Sequence, residues 1–267
     1  MPHIAVRGAD LHYEERGAGP ETVVFAHGLL WSGGMFERQV EALAPRYRCV
    51  TFDFRGQGRS QVTRDGYDLD SLAADAAGLI AALGCAPCHF VGLSMGGFVG
   101  MRLAIHHPRL LRSLILLGTS ADPEPPASRR RYRMMNLIAR CFGPRAVAPP
   151  VMRVLFGPKF LADPDRAELR AHCRRRLIAN HRLGITRAAR GVIARRGVYE
   201  QLDRIDLPTL ILVGDQDLTT PPVRSKRIHA RIPGSRLRWI PEAGHSSTIE
   251  EPAAVNAAIE EFLAGLR

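Results

Sequence analysis

Continuous apolar runs alternate with helix-prone stretches along most of this chain, and that alternation restricts the folds open to it. Thr22–His27 is a continuous apolar run and reads as a strand covered on both faces, and Tyr47–Phe52, His89–Leu93, Leu110–Leu117 and Thr209–Val213 read as further strands. Helical spacing marks Met35–Leu43, Leu69–Leu83, Met95–His106, Val223–Arg231 and Pro252–Leu266. Strands that alternate with helices imply a parallel sheet with right-handed crossovers. Ile4–Arg7 and Leu11–Glu15 form a strand pair joined near Gly8, and Arg236–Ile240 supplies one strand more. The expectation is an α/β fold built on an eight-stranded, mostly parallel sheet flanked by helices.

The alternation breaks at Ser120–Pro126, a stretch with three prolines, and resumes at Leu207. Residues 121–201 lack a strand-like run and are helix-prone, with breaks expected at Gly143-Pro144, Pro149-Pro150 and Gly157-Pro158. They are expected to be a helical cap inserted into a core made of residues 1–120 and 202–267. Apolar clusters such as Met134-Met135 and Val154-Leu155-Phe156 are too many for a solvated face, so part of the cap should line a pocket.

The net charge of +11 is local. Between Ala121 and Glu200 stand 18 basic and 6 acidic residues, and the remainder of the chain is near neutral at −1. Charge alone gives only non-specific attraction to nucleic acid, and no recognition motif accompanies it. No nucleic-acid partner is expected. Arg129, Arg130, Arg131 and Arg133 are either solvated or placed to meet an anionic substrate. No run approaches a membrane span, and the first residues lack an apolar signal core, so a cytoplasmic monomer or homodimer is expected, with no membrane partner. Five cysteines without a secretion signal argue against a disulfide framework. Cys85-x-x-Cys88 stands alone between a helix and a strand and is not read as a metal or redox site.

The chemistry concentrates at Gly92-Leu93-Ser94-Met95-Gly96-Gly97, between a buried strand and a helix. A tight strand-to-helix turn lifts a serine above the sheet, small residues on either side allow strand and helix to close, and the helix N-terminus favours an oxyanion. A serine needs a base. Of ten histidines, His245 lies in the loop between the last strand and the last helix, at the carboxyl edge where open α/β sheets place their sites. His106 and His107 end the helix after Ser94 and face away, and His27 is read as a loop-structure residue. The carboxylate that orients the histidine should follow another strand. Asp217 is favoured over Asp215 and Asp122, because the chain order serine, aspartate, histidine then holds. The amides of Leu29, after the third strand, and Met95 are expected to form the oxyanion hole. Leu30, Met134 and Phe156 are the expected substrate contacts.

His27-Gly28, Asp53-Phe54-Arg55-Gly56-Gln57-Gly58-Arg59-Ser60, Gly92–Gly97, Gly214–Pro221 and Gly244-His245 together resemble the α/β-hydrolase superfamily. The resemblance runs from about residue 3 to 265, the cap excepted, and implies Asp53 and Arg55 as structural residues of a turn. Ser94 stands where haloalkane dehalogenases and epoxide hydrolases carry aspartate. His27-Gly28-Leu29-Leu30 is not the His-Gly-Gly-Gly type of lipases, nor the Ser/Gly-rich segment of C–C hydrolases. Gly92–Gly100 is most similar to small bacterial carboxylesterases and 3-oxoadipate enol-lactonases, and cofactor-free haloperoxidases share a similar turn. The resemblance therefore implies a serine esterase or lactonase acting on a small-molecule ester or lactone, with no metal or organic cofactor. The rivals are a C–C bond hydrolase of aromatic degradation and a receptor-like ligand-binding protein of this fold with little turnover.

Overall fold

The computed structural model describes residues 2–266. Its first half runs β1 (His3–Val6), β2 (Ala9–Arg16), β3 (Thr22–Ala26), α1 (Glu37–Leu43), β4 (Arg48–Phe52), α2 (Leu69–Ala82), β5 (Cys88–Leu93), α3 (Met95–His106) and β6 (Leu111–Leu117). Five helices follow without a strand: α4 (Pro126–Phe142), α5 (Ala148–Leu155), α6 (Pro158–Ala162), α7 (Ala167–Ala179) and α8 (Arg182–Ile193). The chain then returns through β7 (Thr209–Gly214), α9 (Pro222–Arg231), β8 (Arg236–Ile240), α10 (Ser247–Glu250) and α11 (Pro252–Ala264).

The eight strands form one sheet in the order β1-β2-β4-β3-β5-β6-β7-β8. β2 is antiparallel to both β1 and β4, and every other pairing is parallel. The two-residue period of a strand then sorts side chains onto two faces. In β3, Val24 and Ala26 pack on the face covered by α2 and α3, while Val23 and Phe25 pack on the face covered by α1 and α11. All four are fully buried. Each such Val or Phe contributes about 1.5–3 kcal/mol relative to an exposed side chain.

Between β6 and β7 the sequence anticipates two of the helix breaks and misreads a third. Gly143 ends α4 and Gly157 precedes α6, as expected. Pro149-Pro150 instead lies in the first turn of α5, where a missing backbone N–H costs nothing because the first amides have no helical acceptor. A few of the basic residues between β6 and β7 tie this segment to its surroundings. Arg176 donates to the Gly34 carbonyl, Arg166 bridges to Glu251, and Lys159 pairs with Glu242.

The turn after β4 is fixed by buried polar contacts. Asp53 accepts from the amides of Gly33 at 2.7 Å and Arg59 at 2.8 Å. Arg55 makes a bidentate pair with Asp75 of α2 at 2.6 and 2.7 Å, with both side chains buried. Asp53 and Arg55 thus stand as the structural residues their motif implied. Removing one partner of a buried pair leaves an uncompensated charge. Asp75→Ala should destabilise the fold by about 3–5 kcal/mol in urea unfolding. Glu41→Ala, which breaks the exposed Arg38–Glu41 pair, should cost under about 1 kcal/mol.

Candidate active site

The parallel strands end on one edge, and four loops from that edge meet around one cavity. Ser94 stands between β5 and α3 with φ 54° and ψ −110°, a left-handed conformation that side chains rarely adopt. The turn holds it there by close packing. A Cβ on Gly96 would fall 1.9 Å from the Ala26 carbonyl oxygen, and one on Gly92 would fall 2.4 Å from the Gly96 carbonyl carbon. The Ser94 amide donates to Leu117 O at 2.9 Å, and Thr119 donates to the Ser94 carbonyl at 2.8 Å. With its backbone so fixed, the hydroxyl points into a cavity of about 150 Å³ that His245 also lines. Among the described residues the hydroxyl makes no hydrogen bond.

The loop after β7 carries the carboxylate. Asp217 Oδ2 lies 2.9 Å from His245 Nδ1, with both side chains buried. The other oxygen, Oδ1, accepts from the amides of Thr219 and Thr220 at 2.8 and 2.9 Å. The Thr220 hydroxyl donates to Asp217 Oδ2 at 2.8 Å and sits 3.2 Å from His245 Nδ1. Four contacts thus fix the carboxylate, and its contact to Nδ1 places the imidazole proton there and leaves Nε2 unprotonated. Asp215 is exposed, and Asp122 is engaged by Arg224 and Arg227. Neither reaches His245.

The amides of Leu29 and Met95 have no acceptor among the described residues. The Leu29 loop is set against the serine: a Cβ on Gly28 would lie 3.5 Å from Ser94 Cβ. His27 accepts from the Phe54 amide through Nε2 at 2.9 Å, so its Nδ1 donates to the Gly28 carbonyl at 2.7 Å. Burial keeps its pKa below the usual histidine value and the ring neutral, which suits this clamp. The Leu30 amide donates to the buried Gln57 side chain at 2.9 Å, with Leu30 at φ 75°.

Leu29 and Leu30 line the cavity, but Met134 and Phe156 do not. Successive residues on a helix point about 100° apart, so Met134 and Met135 cannot both face inward. α4 turns Tyr132, Met135, Asn136 and Ala139 to the cavity and leaves Met134 57% exposed. Phe156 is buried elsewhere, stacked on Phe160 at 4.5 Å and edge-on to Trp31 at 6.0 Å. Val151, Val154 and Leu155 of α5 take the place expected of it. Arg129, Arg130, Arg131 and Arg133 are exposed and lie outside this cavity. Burial raises the thiol pKa of both Cys85 and Cys88, the reverse of what a reactive thiolate needs.

Residues 23–258 match the alpha/beta hydrolase family. The chain belongs to that family. A Caulobacter vibrioides relative, provisionally named carbamate hydrolase RutD, is 31% identical over 96% of each chain. An esterase from Thermogutta terrifontis, solved with malate bound, superposes with a TM-score of 0.92 at 29% identity, covering 100% of this chain and 99% of that one. The enol-lactonase of Burkholderia xenovorans LB400 has a TM-score of 0.92 at 27% identity, covering 98% of this chain and 100% of that one.

Glu250 is among the residues near the site that escaped the sequence reading. Glu250 of α10 is buried and accepts from the amides of Gly157, before α6, at 2.7 Å and Gly244, beside His245, at 3.0 Å. It ties the α5–α6 turn to the histidine loop of this alpha/beta hydrolase. Burial pushes its carboxyl up to about 7, against the pull of those two amides. A raised carboxyl pKa means that ionisation costs more in the folded state. Stability from this group is therefore full below its ordinary value near 4.5 and is lost as pH rises through about 7. Glu250→Gln keeps an acceptor and removes the charge. Its stability relative to the wild type, read as the urea midpoint difference, should rise between pH 5 and pH 8; a pH-independent difference would refute the assignment.

Proposed function

We propose that this chain is a serine hydrolase that cleaves carboxylic esters of small molecules, lactones included, through an acyl-enzyme on Ser94. The observation that carries the reading is the shared cavity: a serine held at positive φ and a histidine whose Nδ1 is fixed by a buried aspartate open into one small, largely apolar space. The esterase and enol-lactonase likenesses support the same reaction class.

In the proposed reaction, the Ser94 hydroxyl turns toward His245 as substrate enters. Its oxygen attacks the ester carbonyl while its proton passes to His245 Nε2. The carbonyl electron pair moves to oxygen, which accepts hydrogen bonds from the Leu29 and Met95 amides. Asp217 stabilises the imidazolium and holds the ring. The tetrahedral adduct collapses, the carbon–alkoxide bond breaks, and the imidazolium proton goes to the leaving alcohol. Water then gives a proton to His245 and attacks the acyl carbon. Ser94 leaves with that proton, and the carboxylic acid is released.

Residues 121–201 act as the cap and set substrate choice in this reading. Tyr132, Met135, Ala139, Val151 and Ile185 form walls against which an acyl group packs. A carbamate carbonyl offered to Ser94 would pass through the same addition, so carbamates belong in the substrate panel with esters and lactones.

The decisive comparison is between two aspartates two residues apart. Asp217→Asn should lower kcat on p-nitrophenyl esters by roughly 10³–10⁴-fold, because the wrong imidazole tautomer is then held. Asp215→Asn should change it by less than about threefold, as expected for an exposed side chain outside the site. Equal effects, or the reverse order, would contradict the reading. Ala139→Phe should narrow the cavity and shift preference toward shorter acyl chains, measured as kcat/KM across a graded ester series. Met134→Ala should leave that series unchanged.

A further inference from the structure

The cavity around Ser94 is largely apolar, although Tyr132, Asn136 and Thr186 also stand in its wall. Besides Ser94 and His245, an acid–base pair lines it: Arg195 and Glu124, the only Arg, Lys, Asp or Glu side chains in its lining among the described residues. Arg195 follows α8 at the exit of the cap and is 8% exposed, while Glu124 stands at the cap's entrance. Three of the five guanidinium N–H groups are used within the protein. Nε donates to the Asp122 carbonyl at 3.1 Å. Nη1 donates to Glu124 Oε2 at 2.8 Å and to the Val192 carbonyl at 3.0 Å. The two N–H groups of Nη2 meet no acceptor among the described residues, and Nη2 is not among the fully enclosed polar atoms. Arg195 therefore reaches the cavity wall with two donors to spare.

The pair is also close to the chemistry. The guanidinium carbon lies 4.4 Å from the centroid of the Phe98 ring, and the Phe98 amide donates to the Ser94 carbonyl at 3.0 Å. One helical turn, about 5.4 Å, therefore separates Phe98 from the serine along α3. Arg195 and Ser94 line the same cavity, so a substrate whose carbonyl sits at Ser94 can extend toward the guanidinium. The charge of Arg195 is matched by Glu124, whose other oxygen accepts from Ser128. The neighbouring Arg224 and Arg102 carry carboxylates of their own, Asp122 and Asp70. The end of the cavity thus offers strong N–H donors without an unmatched positive charge.

We propose that Arg195 is a specificity-determining residue whose Nη2 edge binds a neutral acceptor oxygen, a ketone or similar carbonyl, carried by the substrate remote from the scissile ester. This proposal rests on the reading of Ser94 as the nucleophile. It names the substrate class as oxo-acyl esters or lactones rather than plain aliphatic ones.

The test compares p-nitrophenyl heptanoate with its 4-oxo, 5-oxo and 6-oxo analogues and with the mono-p-nitrophenyl ester of adipic acid, which ends in a carboxylate. For the wild type, at least one oxo ester should exceed heptanoate in kcat/KM by about tenfold, the effect of one hydrogen bond from a charged donor, mainly through KM. Arg195→Lys keeps a cation for Glu124 but loses the planar edge, and the oxo-to-plain ratio should fall to near one. Glu124→Gln unmasks the positive charge, so the adipate ester should gain on the best oxo ester. A merely structural Arg195 would change all substrates together and leave these ratios in place. The proposal is overturned if no oxo ester is preferred, if the ratio survives Arg195→Lys, if Glu124→Gln leaves the adipate-to-oxo ratio unmoved, or if the wild type favours the carboxylate over every ketone. Absence of turnover on heptanoate and all its analogues would instead overturn the ester-hydrolase reading itself.

Discussion

Backbone contact between β3, β5 and α3 sets the position of everything around Ser94. The Ala26 carbonyl comes so near α3 that no side chain fits at Gly96, and α3 in turn fills the space where a Gly92 side chain would go. A strand and a helix this close are joined only by a sharp turn, and the residue at its apex is forced to φ 54°. The strain of that conformation is offset by the two hydrogen bonds to Leu117 and Thr119 and by the fully buried strands on either side. The same turn starts α3 with the Met95 amide unpaired beside the serine, where the helix dipole adds to its pull on negative charge. One packing constraint thus yields both a serine at the cavity wall and, in the proposed reaction, one half of the oxyanion-binding pair.

The remaining groups reach the serine from separate loops, and each loop is held by buried polar contacts that differ in kind. His27 and Gln57 clamp the Leu29 loop through backbone amides and carbonyls. Two threonines following Asp217 wrap its carboxylate. Glu250 spans from the histidine loop to the helices above it, and Arg195 joins the two chain crossings between core and cap. In the proposed reaction the cap is therefore more than a cover. Its placement is tied directly to the loop that carries His245, and Arg195 at its exit lines the same cavity as Ser94.

The parts of this arrangement visible in the sequence are those written in local pattern. Buried strands alternating with helices announce the sheet, and small residues flanking Ser94 between a strand and a helix announce the turn. Asp217 is reached from the sequence through its place after a strand and the chain order serine, aspartate, histidine, whereas the part Thr219 and Thr220 play in binding its carboxylate emerges only in the structure. What failed depends on phase and long-range contact. Met134 and Met135 are equivalent in composition, and only the rotation of α4 against α8 decides that Met135 faces inward. Phe156 looks like a pocket residue until Trp31 and Phe160, from opposite sides in sequence, enclose it. Glu250 and Arg195 read as two more charges in a charged chain. Their partners lie 93 and 71 residues away, at Gly157 and Glu124, and no local pattern links them.

The central claim is that a covalent intermediate forms on Ser94, and intact-protein mass spectrometry tests it most directly. The wild type mixed with p-nitrophenyl butyrate and quenched in acid within milliseconds should carry one added butyryl group. Peptide mapping should place it on Ser94, and the adduct should persist longer in His245→Ala than its formation rate alone would suggest, because water then lacks a base. An unmodified protein during active turnover, or an acyl group mapped to any other residue, would contradict the account.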